Sequence, residues 1–268
     1  MAWSLGGFDG KVAVVTGAGR MRSIGRPIAV ELARAGANVV LTGTGRDPSM
    51  YPDDEKAAGW RDIDSVADEV RAHGVTAVPL VSDVSDEEAV HQLAEQIVER
   101  FGRIDIVVNN AANALRQDFG EFTAEAWEKS FAVNLRGPVF LVQEALPYLE
   151  KSPNPAVVNV ISAAAFLFSP FQAMYGAGKA ALLHFTRSMA AEFAPRGIRV
   201  NALAPGTVDT DMVRNNTPEM QQLMAGASLM KRAADPEEMV GPVLFLASDA
   251  ASFVTGQVLI ADGGLVSR

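Results

Sequence analysis

The sequence predicts an α/β domain: one doubly wound parallel sheet of about seven strands, with helices on both faces. Three observations predict it. Seven short, β-branched runs recur along the chain, longer helical patterns separate them, and the strand runs are apolar at consecutive positions instead of alternating. Strand–helix alternation implies βαβ units and a parallel sheet. Strands apolar on both faces belong to sheets covered on both sides. Crossovers in such sheets are right-handed, and the ligand crevice lies at the carboxyl ends of the strands.

The elements follow in order. Strands are expected at "VAVVT" (12–16), "NVVLT" (38–42), "TAVPLVS" (76–82), "IDIVVNN" (104–110), "AVVNVIS" (156–162), "RVNALAP" (199–205) and "QVLIA" (257–261). Helices are expected near 25–36, 62–73, 86–101, 124–150, 172–196 and 236–248. The length of 268 residues allows one or two domains, and no Pro/Ser-rich linker or composition break divides the chain, so a single domain over 1–268 is expected. No internal repeat and no low-complexity tract interrupts it.

Composition narrows the function. The chain has no cysteine, which excludes disulfides, thiol catalysis and thiolate metal sites. The net charge of -9 disfavours nucleic acid as a partner. No run of about 20 apolar residues is free of charge, so no membrane span is expected. "MAWSLGGFDGK" lacks the basic start and apolar core of a signal peptide, and the expected location is cytoplasmic. His73, His91 and His184 fall in separate helical stretches without metal-ligand spacing, so no metal site is expected.

Between the first strand and first helix lies "TGAGRMRSIG" (16–25). A helix N-terminus with unpaired N–H groups and a positive dipole end favours a phosphate. Gly17 can make the turn out of the strand, and Gly25 lets the helix pack close to the sheet. Gly19, Ser23 and Ile24 would bring backbone N–H groups to a pyrophosphate, and the Ser23 hydroxyl can donate as well. A fold of this kind that selects NAD usually carries an acid at the end of the second strand. This chain has Gly43 and Thr44 there, with Arg20 and Arg22 in the loop and Arg46 just beyond. Three guanidinium groups could pair with a 2′-phosphate. The expectation is NADP(H), with NAD(H) as the alternative.

The second informative stretch is "YGAGK". Tyr175 and Lys179 sit at i and i+4 and share one helix face. A phenol titrates near 10, too high for easy proton exchange at neutral pH, and a nearby ammonium lowers that value. Tyr175 could then act as acid toward a carbonyl oxygen or as base toward an alcohol. Of the three tyrosines, only Tyr175 has Lys at i+4.

With these motifs in order, the chain resembles the short-chain dehydrogenase/reductase family, 3-oxoacyl reductases among them, from about Gly10 to Gly264. The resemblance implies a Rossmann-type fold. "TGAG…SIG" is similar to the family's cofactor loop. "SDV" supplies Asp83 and Val84, which the resemblance places against the adenine. "NNAA" (109–112) resembles the family's NNAG, putting Asn110, Ala111 and Ala112 beside the adenine ribose. "VNL" places Asn134 at the family's catalytic asparagine, and Ser162 stands thirteen residues before Tyr175, the family spacing. "PGTVDT" (205–210) resembles the segment that holds the carboxamide, with Pro205, Gly206, Val208 and Thr210 as contacts. "ADGG" (261–264) is similar to a C-terminal signature. The implied roles are these: Ser162 binds the substrate oxygen, Tyr175 transfers the proton, Lys179 lowers the Tyr175 pKa and holds the nicotinamide ribose, and Asn134 positions a water.

Three features depart from that pattern. The glycine loop is one residue longer, with Ser23 in place of the middle glycine. Ala112 replaces the last glycine of NNAG. "RDPSMYPDDEKAAGWR" (46–61) extends the connection after the second strand beyond the ~2–6 residues usual in such units. That segment either folds over the adenosine end of the cofactor or makes a surface excursion, and both readings stay open.

The activity expected is NADPH-dependent reduction of a carbonyl. Oxidation of an alcohol, or non-catalytic NADP(H) sensing, are the alternatives; a methyltransferase would have no use for "YGAGK". Phe166, Phe168 and Phe171 follow Ser162, and Met212, Met220, Met224 and Met230 populate 211–232, expected as a substrate lid. Thioethers suit an adaptable apolar pocket, so the expected partner is a hydrophobic small-molecule ketone or a 3-oxoacyl thioester. Lys231 and Arg232 could form a basic patch for an acidic carrier protein. Helices at 124–150 and 172–196 resemble those that pair across a dyad in relatives, implying a homotetramer.

Overall fold

The computed structural model describes residues 5–168 and 170–267. Its seven strands are β1 (Val12–Val15), β2 (Asn38–Gly43), β3 (Ala77–Val81), β4 (Ile106–Asn109), β5 (Ala156–Val160), β6 (Arg199–Pro205) and β7 (Val258–Ala261). All pair in parallel in the order β3-β2-β1-β4-β5-β6-β7. The expected strands are all present, each within two residues of its predicted ends.

Consecutive apolar residues serve opposite faces. Ala13, Val15, Val39, Leu41, Ile106 and Val108 pack on one side, with α1 (Gly25–Arg34), α3 (Ile63–Arg71) and α10 (Val240–Ala247). Val12, Val14, Val40 and Val107 pack on the other, with α4 (Glu87–Phe101), α6 (Gly137–Leu149) and α7 (Ala173–Phe193). Pro79 is tolerated because β3 is an edge strand, where a missing N–H costs no ladder bond.

The helices depart from expectation in places. The 124–150 pattern divides into α5 (Ala124–Phe131), a π-turn over Ala132–Arg136, and α6. The 236–248 pattern begins as a 3₁₀ turn, Pro236–Met239, where Asp235 and Glu238 form a capping box. The long connection after β2 contains α2 (Asp53–Ala57), and the expected lid contains α8 (Asp211–Arg214) and α9 (Pro218–Gly226). Among the described residues no helix is long and apolar enough to cross a membrane.

The strand order reverses between β1 and β4, which opens the crevice at their carboxyl ends. At the opposite end of the sheet, Asp105 closes the structure. Its buried Oδ2 accepts from the Val12 N–H at 2.8 Å and from Arg103 Nε at 2.8 Å.

Candidate active site

The crevice is a cleft of about 820 Å³. It runs from the glycine loop, past the ends of β2 and β4, to the start of α7 and the segment after β6. Gly17, Gly19, Arg20, Arg22, Ser23, Ile24, Thr44, Arg46, Asp83, Val84, Asn110, Ala111, Ala112, Ser162, Tyr175, Lys179, Pro205, Gly206, Val208 and Thr210 all line it, and Gly25 lies beneath. The predicted site residues therefore converge on one cleft, with Asn134 behind its wall.

The loop's geometry follows from its neighbours. Gly17 takes φ +67°, and a Cβ there would meet the Ala111 Cα at 2.8 Å, so a side chain is excluded both by conformation and by space. Thr16 locks the loop to the end of β4, because its Oγ1 accepts from the Asn110 and Ala111 N–H groups at 3.0 Å each. Asn110 Nδ2 in turn donates to the carbonyls of Thr16 and Gly17 at 2.8 and 3.1 Å. Thr16, the first residue of the 16–25 motif, is a functional residue that the sequence reasoning missed. A hydroxyl just before the glycine turn was the signal for it. At the start of α1 the Arg26 N–H is taken by Ser23, Pro27 has no N–H and the Ile28 N–H reaches the Ile24 carbonyl, so Ile24 and Gly25 are the positions whose N–H groups have no partner among the described residues and can meet an anion. The Ser23 hydroxyl is engaged within the loop: it donates to the Arg20 carbonyl at 3.0 Å and accepts from the Arg26 N–H.

At the other end of the cleft, Ser162 leaves β5 in an extended conformation, and its Oγ accepts from the Ala164 N–H at 3.1 Å. Tyr175 and Lys179 lie in the first turns of α7, both buried. Lys179 Nζ donates to the Val160 carbonyl at 2.9 Å and stands 5.8 Å from the Tyr175 ring centre. Burial pushes the Tyr175 phenol above its ordinary value, and the neighbouring Ser162 hydroxyl opposes the rise. Burial also pulls Lys179 down to about 7. The expected lowering of the phenol by the ammonium is not seen: both groups lose water, and desolvation is the largest cause of each shift.

Asn134 lies in the π-turn, fully buried, and is absent from the cleft lining. Its Nδ2 donates to the carbonyls of Asn113 and Ser130 at 2.8 and 2.9 Å, and its Oδ1 accepts from the Asn113 N–H. The side chain is occupied in holding the turn. π-turns of this kind are frequent at functional sites.

The adenosine end differs most from expectation. The segment 46–61 is no free surface excursion. Buried Glu55 accepts from the Met21 N–H at 2.8 Å, and Trp60 Nε1 donates to the Gly19 carbonyl at 2.7 Å. Both contacts pin the segment to the glycine loop. The three arginines expected to be free for a phosphate are paired. Arg46 donates through Nε to Asp62 at 3.0 Å and through Nη1 and Nη2 to Glu55 at 3.2 Å. Arg22 pairs with Asp54 and Asp211, and Arg20 with Asp211. Asp211 was missed because it is remote in sequence from Arg20 and Arg22, and Glu55 and Asp62 because their pairing with Arg46 depends on how the 46–61 segment folds back, which no regular spacing announces.

Phe166, Phe168 and Phe171, which follow Ser162 and were expected near the mouth of the site, are placed elsewhere. All three are exposed and do not line the cleft; of the four lid methionines only Met212 does. The mouth is lined instead by Leu115, Arg116, Gln172, Val213, Asn215 and Asn216, a mixture of polar and apolar groups. Arg232 forks onto Glu238, and Lys231 Nζ donates to the Gly226 carbonyl, so the two do not present an open basic patch.

A parallel sheet with its switch point under a glycine loop, and a Ser–Tyr–Lys cluster in the same cleft, defines a dinucleotide-binding oxidoreductase. The comparisons agree: a family described as enoyl-(acyl carrier protein) reductase matches residues 17–266. The chain is 36% identical over 258 residues to 3-oxoacyl-[acyl-carrier-protein] reductase FabG of Aquifex aeolicus, covering 96% of this chain and 98% of that one. Carveol dehydrogenase from Mycobacterium avium, solved in complex with NAD, superposes with a TM-score of 0.85 at 27% identity, over 97% of this chain and 99% of that one. A blue fluorescent protein from a metagenomic library, solved in complex with NADPH, superposes with a TM-score of 0.84 at 30% identity, over 96% and 98%. The chain belongs to the short-chain dehydrogenase/reductase family and is an oxidoreductase of that family.

Proposed function

We propose that this enzyme interconverts a carbonyl and a secondary alcohol, with Tyr175 as the proton carrier. The observation that carries the reading is the shared cleft: Ser162, Tyr175 and Lys179 face the same space as the glycine loop. A nicotinamide dinucleotide supplies or accepts the hydride there. The residues fit such a group: the turn at Gly17 leaves no side chain between loop and cleft, and the Ile24 and Gly25 N–H groups at the start of α1 suit a pyrophosphate.

In the reductive direction, Ser162 donates a hydrogen bond to the substrate oxygen and stabilises its growing negative charge. Tyr175 gives its proton to that oxygen as the carbon gains hydride, so the carbonyl becomes an alcohol. Lys179, poised near 7, can then return a proton to the phenolate. In the oxidative direction each transfer reverses. Asn134 acts as a positioning residue, holding the 132–136 turn against Asn113. The full set of four argues for an enzyme over a sensor, since binding alone needs no proton carrier.

The reduction of a 3-oxoacyl group, the activity named for the Aquifex relative, is one form of this chemistry. The mixed mouth suits a ketone with polar as well as apolar surface. The support for NADP(H) weakens once its arginines are paired with carboxylates, while either dinucleotide can serve the chemistry. A homotetramer fits the exposed Trp127 on α5 and Phe185 on α7.

The test is Tyr175→Phe, assayed on a carbonyl and alcohol panel at the nicotinamide band. Turnover should fall about 10²–10⁴-fold, the range typical of a lost general acid, with dinucleotide binding retained. Near-normal turnover would defeat the assignment.

A further inference from the structure

We infer that Asp62, delivered by the 46–61 segment, selects the cofactor and makes the enzyme prefer NAD(H). The inference rests on the dinucleotide reading above and deepens it.

Asp62 stands directly before α3, where an acid would ordinarily cap the helix. It does not: its side chain makes no cap hydrogen bond, and its backbone takes φ 54°, ψ -129°. A left-handed φ is costly for a residue other than glycine and persists only where the surroundings impose it. The effect is to turn the carboxylate away from the helix and into the adenosine end of the cleft, which Asp62 lines together with Gly19, Gly43, Thr44 and Arg46.

The position of the carboxylate is specific. A Cβ on Gly19 would fall on its Oδ1, and a Cβ on Gly43 would come within 3.5 Å of the same atom. The carboxylate therefore fills the gap between the glycine loop and the end of β2. In dinucleotide folds that choose NAD, an acid projecting from the second strand occupies that region and accepts from the ribose hydroxyls. Here β2 ends in glycine and the acid arrives from the far side, about twenty residues later in the chain.

The charges agree. Oδ2 of Asp62 accepts from Arg46 Nε, whereas Oδ1 accepts from no group among the described residues. That free oxygen can accept from a ribose 2′-hydroxyl. Arg46 is fully employed, bonded to Asp62 and Glu55 and stacked 4.7 Å from the Tyr51 ring centre. One positive charge against two carboxylates leaves the pocket net negative. Arg20 and Arg22 are likewise balanced by Asp54 and Asp211. A 2′-phosphate entering here would meet an unshared carboxylate oxygen at close range, and like charges in a partly desolvated site repel strongly. Glu55 and Arg46 are positioning residues: they hold Asp62 and keep the guanidinium from a phosphate.

The experiment is equilibrium binding, independent of turnover. NADH and NADPH are titrated by fluorescence, and 5′-AMP and 2′,5′-ADP by calorimetry, against the wild-type chain and Asp62→Ser. The wild type should bind NADH at least about tenfold more tightly than NADPH, and 5′-AMP more tightly than 2′,5′-ADP, as expected for one lost charge-assisted hydrogen bond and one added repulsion. Asp62→Ser should lose about tenfold for NADH and gain for NADPH, as the repelling carboxylate is removed and Arg46 Nε loses its partner. A wild type that binds NADPH as tightly as NADH, or a variant with an unchanged ratio, overturns the inference and leaves the dinucleotide reading standing. Failure of the wild type to bind either dinucleotide overturns both. If Asp62→Ser does not fold, the two wild-type ratios alone decide.

Discussion

Lys179 shows at the residue scale how burial sets chemistry. Its ammonium is nearly sealed from water, and its only described hydrogen-bond partner is the Val160 carbonyl. Burial lowers its pKa from 10.5 to about 7. Between those values the unfolded chain holds a proton that the folded chain lacks, so this group makes stability rise with pH across that window. Below about 7 both states are protonated, and the buried charge opposes folding in full. We predict that Lys179→Met stabilises the dinucleotide-free protein most at about pH 6 and progressively less toward about pH 9. Thermal unfolding of both proteins across that range measures it; a difference independent of pH would show that Lys179 keeps its ordinary pKa. Tyr175 illustrates the same physics, because burial moves its phenol upward despite an ammonium one helical turn away. The "YGAGK" pattern revealed who the partners are, but the sign of the pKa shift depends on exclusion of water, which no spacing encodes.

At the scale of elements, the starts of strands are tied as firmly as their ends are left open. Asp105 joins the first residue of β1 to Arg103 before β4 and to Ser152 before β5. Burial acts to raise the Asp105 carboxyl, but Arg103, Ser152 and the Val12 N–H together hold it below the usual carboxylate range. Its contribution is therefore present above its unfolded pKa and lost as pH falls through the lower folded one. Asp105→Ala should cost about 1–3 kcal/mol at neutral pH, because a buried N–H loses its acceptor. Denaturant unfolding at neutral and acid pH reads the effect, which should shrink on acidification. Legibility also varied by element. β1 to β7 were visible as apolar runs, since a strand buried on both faces has no freedom in composition. The 53–57 helix and the π-turn at 132–136 were not, because the first is held by Glu55 reaching the Met21 N–H and the second by Asn134 reaching Asn113.

For the whole molecule, exposed apolar side chains fall on a few adjoining elements. Trp127, stacked on Phe131, and Phe185 lie on neighbouring helices α5 and α7, and exposed Ile260 lies in the edge strand β7, with exposed Phe253 in the turn before it. Single exposed apolar groups need no explanation, but clusters on adjoining elements favour burial against a partner. We predict a tetramer by light scattering, and a smaller species for Phe185→Asp, which places a charge in a desolvated interface. A wild-type monomer at micromolar concentration would contradict this. The cleft lies at the opposite end of the sheet from Asp105, so its lining comes from loops at the carboxyl ends of the strands, as in other parallel sheets.

What could be known from residue order alone was the architecture and the position of the chemistry. Apolar runs and glycine turns act locally, and the Tyr175–Lys179 spacing is a property of one helix. The converging carboxylates were of another kind. Asp62 reaches Gly19, Glu55 reaches Met21, and Asp211 reaches Arg20 and Arg22 only after β2, α3 and the segment following β6 have docked around the glycine loop. Electrostatic balance depends on distance in space and on exclusion of water, and folding sets both. The same three arginines that read as a phosphate site along the chain are, in three dimensions, already neutralised.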